Sequence, residues 1–190
     1  LWAGTGYQGL SVYRDGKVSI FTKEKDGLHD NTIQYIFKTK AGKLFVLGDQ
    51  GMSEVMISGD EKISFKPYYY EPKISQHAQF YTAIEAPGST IWAGGQEGLF
   101  FLQNNSWHHF NLLGKTMQVN DMKQLKDGTV WIATSGEGIL ICRFQDDSTI
   151  KVVKQYKESD GLNTSLFLNL LVDQQQNIWA ASARGLSFIG

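Results

Sequence analysis

Five times along the chain, a hydrophobic residue, an aromatic and one or two small residues lead to a glycine followed by another hydrophobic residue. The copies are Leu1-Trp2-Ala3-Gly4-Thr5 with Gly9-Leu10, Leu44-Phe45-Val46-Leu47-Gly48 with Gly51-Met52, and Ile91-Trp92-Ala93-Gly94-Gly95 with Gly98-Leu99. Val130-Trp131-Ile132-Ala133-Thr134 with Gly138-Ile139 and Ile178-Trp179-Ala180-Ala181-Ser182 with Gly185-Leu186 complete the set. The aromatic position steps by 43, 47, 39 and 48 residues. A second pattern, Lys23-Glu24-Lys25-Asp26-Gly27-Leu28, returns as Lys157-Glu158-Ser159-Asp160-Gly161-Leu162, and the same shift of 134 residues carries Phe45 onto Trp179 and Gly51 onto Gly185. Three repeats therefore occupy 134 residues, or about 45 each, a period that marks a repeat architecture.

Each unit reads as four short strands. In the second, Ile33 to Lys38, Lys43 to Leu47, Met52 to Ile57 and Ile63 to about Tyr68 are rich in β-branched and aromatic residues and separated by Gly, Asp and Lys, which is a strand signal. No stretch keeps a 3.6-residue period over three turns, so helix is expected to be nearly absent. Four-stranded units at this period stack radially, giving an all-β propeller. The approximate units are 1–28, 29–76, 77–115, 116–161 and 162–190. The first holds its second to fourth strands, three are complete, and the last stops after its third. The expectation is an incomplete arc of four to five blades whose end sheets expose apolar faces. Self-association through those faces, or contact with the rest of a longer propeller, would cover them.

Composition narrows the function. With 18 Lys plus Arg against 19 Asp plus Glu the net charge is −1, which gives no support for nucleic acid or an anionic membrane as partner. A single cysteine, Cys142, permits no internal disulfide, and on the third strand of its unit it reads as a small core residue. No apolar run approaches the ~20 residues that span a bilayer. The chain opens within a repeat and without an initiator Met, so it is expected to be part of a longer protein, with any membrane attachment lying elsewhere in that parent.

The sequence Asp-Gly-Leu, a first strand, a Gly turn, Leu/Ile-Trp-Ile/Ala-Gly/Ala-Thr and then Gly-Leu resembles the two-component regulator propeller repeat. Asp26 to Val55 and Asp160 to Ile189 carry it best. The resemblance implies the periplasmic sensor region of a hybrid histidine kinase, a receptor type of Gram-negative bacteria that live on polysaccharides. Departures are Phe45 for Trp, Gly48 and Gly95 for Thr or Ser, and Gln176 in place of the turn glycine; the units around His77 and Met117 lack Asp-Gly-Leu. The Trp-Asp dipeptide of WD40 repeats is absent.

The aromatic set Trp2, Phe45, Trp92, Trp131 and Trp179 is expected to pack between neighbouring blades. Gly9, Gly51, Gly98, Gly138 and Gly185 are expected to allow turns with positive φ. Variable polar residues fall on the loops between second and third strands: Tyr7, Gln8, Asp49, Gln50, Gln96, Glu97, Glu137 and Arg184. The loops entering each first strand add His29, Asp30, Asn31, His77, Gln79, Gln118, Asn120, Asn163 and Thr164. Variable polar tips on a constant frame make a binding face, and amides, carboxylates and an Arg suit a hydroxyl-rich ligand such as an oligosaccharide. The rival reading of the same residues is a merely solvated rim. Asp49, Glu97 and Glu137 also permit a propeller lyase or glycoside hydrolase, and a protein-interaction propeller is a further alternative. Tyr68-Tyr69-Tyr70 cannot all face inward on a strand, and adjacent His108 and His109 must point to opposite faces. The four histidines show no ligand spacing; no catalytic set, metal or cofactor is expected.

Overall fold

A computed structural model describes residues 1–70 and 79–189. Among the described residues, eighteen strands form five antiparallel sheets, none closed on itself. The first sheet holds β1 (Trp2–Gly4), β2 (Leu10–Arg14) and β3 (Lys17–Phe21), and the second β4 (Ile33–Lys38), β5 (Leu44–Gly48), β6 (Gly51–Ile57) and β7 (Ile63–Tyr69). The third contains β8 (Phe80–Glu85), β9 (Ile91–Gly95), β10 (Gly98–Gln103) and β11 (Ser106–Phe110). The fourth is built of β12 (Val119–Gln124), β13 (Thr129–Thr134), β14 (Ile139–Asp146) and β15 (Thr149–Tyr156), and the fifth of β16 (Asn169–Val172), β17 (Ile178–Ser182) and β18 (Gly185–Ile189). Strands follow one another in chain order within every sheet, as blades require. The missing strands are the expected ones: the first of the opening sheet and the fourth of the closing one.

The chain divides into two compact units, Leu1–Tyr81 with Leu102–Trp107, and Thr82–Phe101 with His108–Gly190. In the first, Leu10 and Val12 of the opening sheet pack with Val46 and Val55 of the second, and Trp2 joins them. In the second, Trp92 and Leu99 meet Met122, Val130, Ile132, Leu140 and Cys142 of the fourth sheet. The opposite face of that sheet, Ala133 and Ile139 with Trp131 alongside, meets Leu170, Ile178 and Ala180 of the fifth. Successive sheets thus bury alternate faces of each strand, the consequence of a two-residue side-chain period.

The aromatic positions divide. Phe45 and Trp92 are buried, whereas Trp2, Trp131 and Trp179 are half-buried. Trp92 is enclosed by Phe101, Phe110 and Phe144, and its indole N–H donates to the Asp147 carbonyl at 2.8 Å. The Asp146-Asp147-Ser148 hairpin therefore also latches onto the third sheet, where Gly88 N–H donates to Asp147 Oδ1 at 2.7 Å. Trp179 touches Phe188 of its own sheet and donates to Asp173 Oδ2 at 3.1 Å.

The Asp-Gly-Leu motif has a physical meaning that the strand pattern hid. Lys23–Asp26 is one turn of helix, α1, with Thr22 as N-cap; Thr22 N–H donates to Asp26 Oδ2 at 2.8 Å, and Gly27 closes the turn at φ 76°. Lys157 N–H donates to Asp160 Oδ2 at 2.9 Å in the same way, with Gly161 at φ 97°. The Asp caps the turn, the Gly takes the left-handed C-terminal position, and the following Leu28 is fully buried. Gln176, in the place of a turn glycine, adopts φ 67°, matching Gly42 at 85° and Gly128 at 83°.

Tyr68 is buried and Tyr69 exposed, as alternation demands. His108 stacks on Phe101 and His109 packs on Phe100, on opposite faces of their strand. Cys142 is a core residue, and burial pushes its thiol up to about 12. Asp121 is buried in the second unit. Its Oδ1 accepts from Thr82 Oγ1 (3.1 Å), Met122 N–H (2.8 Å) and Lys123 Nζ (2.7 Å), and its Oδ2 from Leu170 N–H (2.8 Å). One carboxylate therefore ties together the first strands of three sheets.

Candidate binding face

The loop between second and third strands lies beside the loop entering the next sheet, and hydrogen bonds hold the two together. In the first unit, Gly9 N–H donates to the Asn31 carbonyl (2.8 Å) and Ile33 N–H to the Thr5 carbonyl (2.8 Å). The Thr5 hydroxyl donates to the Gly9 carbonyl (2.9 Å) and accepts from Gln8 N–H (2.8 Å). The second unit repeats all four bonds. Gly138 N–H donates to the Ser165 carbonyl (2.9 Å), Phe167 N–H to the Thr134 carbonyl (3.0 Å), Thr134 Oγ1 to the Gly138 carbonyl (2.9 Å), and Glu137 N–H to Thr134 Oγ1 (3.0 Å).

All five repeat glycines have positive φ: 77° at Gly9, 134° at Gly51, 115° at Gly98, 72° at Gly138 and 118° at Gly185. At Gly9 and Gly138 a second constraint acts. A Cβ there would sit 2.1 Å from the Phe21 carbonyl oxygen and 2.0 Å from that of Tyr156, closer than any side chain tolerates.

On this frame the polar residues meet different fates. Tyr7 is 90% exposed, and neither its ring nor the Gln8 side chain has a polar partner among the described residues. Gln50 accepts from Lys23 Nζ at 2.7 Å, and Asp49 is half-buried. Asn31 Nδ2 bridges both Glu24 carboxylate oxygens at 3.0 and 3.1 Å. His29 is fully buried, with Nδ1 2.9 Å from Ser53 Oγ. Burial, assisted by the Lys23 charge, drives its pKa down to about 3. The entering loop thus carries His29 into the interior. Asp30, also buried, accepts from Thr32 N–H at 3.1 Å. His77 lies outside the described residues.

In the second unit Gln96 is exposed and Glu97 buried, its carbonyl 2.9 Å from His109 Nε2. Glu137 accepts from Lys115, from Lys157 Nζ at 3.1 Å and from Gln155 Nε2 at 3.1 Å. The Lys115 and Lys157 hydrogen bonds pull its pKa down to about 2, so it is an anion at any ordinary pH. Arg184 and Asn163 exchange hydrogen bonds through each other's carbonyls at 3.1 and 3.2 Å. Gln118 donates to Asn120 Oδ1 at 2.8 Å, Asn120 donates to the Phe167 carbonyl at 2.7 Å and to Ser135 Oγ at 3.0 Å, and Thr164 Oγ1 accepts from Leu166 N–H. In the first unit Gln79 accepts from the Tyr81 hydroxyl at 2.8 Å.

Sequence reasoning missed the lysines that engage this face, Lys23, Lys115 and Lys157, and the hydroxyls of Thr5 and Thr134 that brace its loops. The two threonines fill one register position of the repeat, and that regularity was the signal. Asp121, a carboxylate between Val119 and Met122 in an apolar strand, was a second signal.

No protein-family model and no curated relative matches the chain. Solved structures do. The extracellular domain of the hybrid two-component system BT4673 from B. thetaiotaomicron aligns with 99% of this chain at 20% identity and TM-score 0.76. That of BT3049 from the same organism aligns with all of it at 21% and 0.56. Virginiamycin B lyase from Staphylococcus aureus matches 95% at 14% identity and TM-score 0.61. The chain spans 25% of the BT4673 domain and 31% of the BT3049 domain. The fold is therefore of the propeller type, built like stretches of extracellular sensor domains and, more distantly, like an enzyme.

Proposed function

We propose that this chain is an extracytoplasmic, ligand-recognising segment of a hybrid two-component sensor, located in the periplasm, and that its ligand is an oligosaccharide or a similarly hydroxyl-rich molecule. The observation that carries the reading is the likeness to the BT4673 sensor domain along almost the whole chain. Fold likeness alone does not assign function; the loop chemistry adds to it. In the first unit Tyr7 offers an exposed ring for stacking against a sugar face, and Gln8 beside it an exposed amide for hydroxyls. Ligand binding biases a kinase when it favours one receptor arrangement over another.

A catalytic role is not part of the proposal. Glu137 is held ionised by two lysines, with its pKa pulled down to about 2, so it lacks the raised pKa of a general acid, and Glu97 is buried, without the open approach that role needs. Calorimetry against a panel of neutral and uronic-acid oligosaccharides tests the reading. Binding without turnover, weakened about tenfold or more by Tyr7→Ala, is expected. Turnover abolished by Glu97→Gln or Glu137→Gln overturns the sensor reading in favour of the lyase or hydrolase. A parent reading frame without a membrane segment and a kinase module overturns it as well.

A further inference from the structure

Away from the loops between second and third strands, each complete third-to-fourth-strand pair ends in a hairpin. In the first unit two such hairpins, β2 to β3 and β6 to β7, border a cleft of about 150 Å³ between the first and second sheets. Its floor is apolar, made by Val12, Phe21 and Ile63, with the Phe21 ring edge-on to Phe65 at 5.4 Å. Its rim is polar, made by Arg14, Lys17, Ser19 and Glu61. Both walls are faces that the two sheets turn towards each other, where Leu10 and Val12 pack with Val46 and Val55.

The repeat shows what fills such a space. Gly9 laid over Gly98 carries Val12 onto Phe101, Ser19 onto His108 and Phe21 onto Phe110, and Gly51 laid over Gly138 carries Ile63 onto Ile150. In the second unit the His108 ring stacks on Phe101, centroids 5.1 Å apart and planes 18° apart, and Phe101 packs on Trp92. The cleft is the space left when those two rings are exchanged for an isopropyl and a hydroxymethyl group. An apolar cavity of about this volume holds one benzene ring.

Charge selects what the ring carries. Arg14 Nη1 donates to Glu61 Oε2 at 2.9 Å. Glu61 makes that reach from a turn position with φ 62°, its N–H donating to the Ser58 carbonyl at 2.9 Å, a conformation uncommon for a residue with a side chain. The pair balances itself. Lys17 adds a positive charge at the mouth without a polar partner among the described residues.

We propose that this cleft binds a small aromatic carboxylate, its ring on Val12, Phe21 and Ile63 and its carboxylate at Lys17 and the free donors of Arg14. The site lies apart from the loops that carry Tyr7 and Gln8 and does not rest on the sensor reading.

An amide-detected NMR titration with benzoate tests it. Shifts confined to residues 12–21 and 61–63 are expected, with neutral benzamide binding about tenfold more weakly and glucuronate, which has no apolar ring face to match the floor, weaker still. Lys17→Glu should weaken benzoate about tenfold. Val12→Phe with Ser19→His, which installs the second unit's own filling, should abolish binding while the urea midpoint holds or rises. No shift at the cleft overturns the proposal, as does benzamide binding as well as benzoate, or benzoate binding that survives in the filled variant. Glucuronate binding as tightly as benzoate overturns the aromatic assignment.

Discussion

The loop from Thr5 to Gly9 in the first unit and the loop from Thr134 to Gly138 in the second have the same four hydrogen bonds and opposite side-chain chemistry. One carries Tyr7 and Gln8 into solvent; the other carries Glu137 into a clamp of Lys115, Lys157 and Gln155. Backbone and threonine set the frame, and the residues on top are free to differ. That is how a repeat protein varies recognition without altering its fold.

The anchoring of the frame is unequal. Asp121 secures the first strands of the second unit, while Tyr35 stands at its register position in the first. Asp121→Ala is expected to cost about 3–5 kcal/mol, because four donors, Lys123 among them, lose a buried acceptor; a fall in the urea midpoint reads it out. Tyr35→Ala should cost less.

Gly9→Ala and Gly138→Ala strike both loops alike, through a positive φ and a carbonyl in the way, and should each cost about 2–3 kcal/mol. Gly136→Ala meets open space at φ 110° and should cost only the backbone share, about 1 kcal/mol. Equal losses at 136 and 138 would show that the close carbonyl is irrelevant.

Acid separates the two units. His29 has a folded pKa of about 3 against an ordinary 6.5, so the unfolded chain takes up its proton first. Stability is full above pH 6.5 and falls as pH drops from 6.5 towards 3, by at most ~1.4 kcal/mol per pH unit. Between pH 7 and 5 the first unit should lose about 2 kcal/mol. His29→Asn should flatten that slope in urea unfolding, and an unchanged slope would place the ring in water.

Thr134→Ala, at a buried hydroxyl, is expected to cost about 1–2 kcal/mol, and Thr5→Ala, at a half-exposed one, about 0.5–1 kcal/mol. An effect as small as that of Thr5→Ala is expected at Glu137→Gln, about 0.5–1 kcal/mol at neutral pH. Its carboxylate has a pKa lowered from 4.5 to about 2, so the contribution is present above pH 4.5 and lost as pH falls through 2. The difference between wild type and variant should vanish over that window and nowhere else.

Much of the frame was legible beforehand. The strand count, the missing end strands and the five positive-φ glycines follow from the period, because each depends on residues a few positions apart. The helical turn at Asp-Gly-Leu escaped notice because four residues cannot display a helical period. The aromatics expected to pack between neighbouring sheets do so to different depths: Trp92 is enclosed, while Trp2 and Trp131 join their neighbours' clusters half-buried. Among the candidate binding residues, Tyr7 and His29 looked alike as loop residues, yet one is open to solvent and the other sealed under Ser53.

By itself, the order of residues determined the repeat, the pleat and the turns, because these are set by side-chain alternation and backbone conformation within a few residues. Tertiary structure alone decided which polar groups are free and which are paired. Those outcomes depend on partners brought from another loop or sheet, such as Lys115 to Glu137 or Ser53 to His29, and spacing along the chain does not encode where such partners meet.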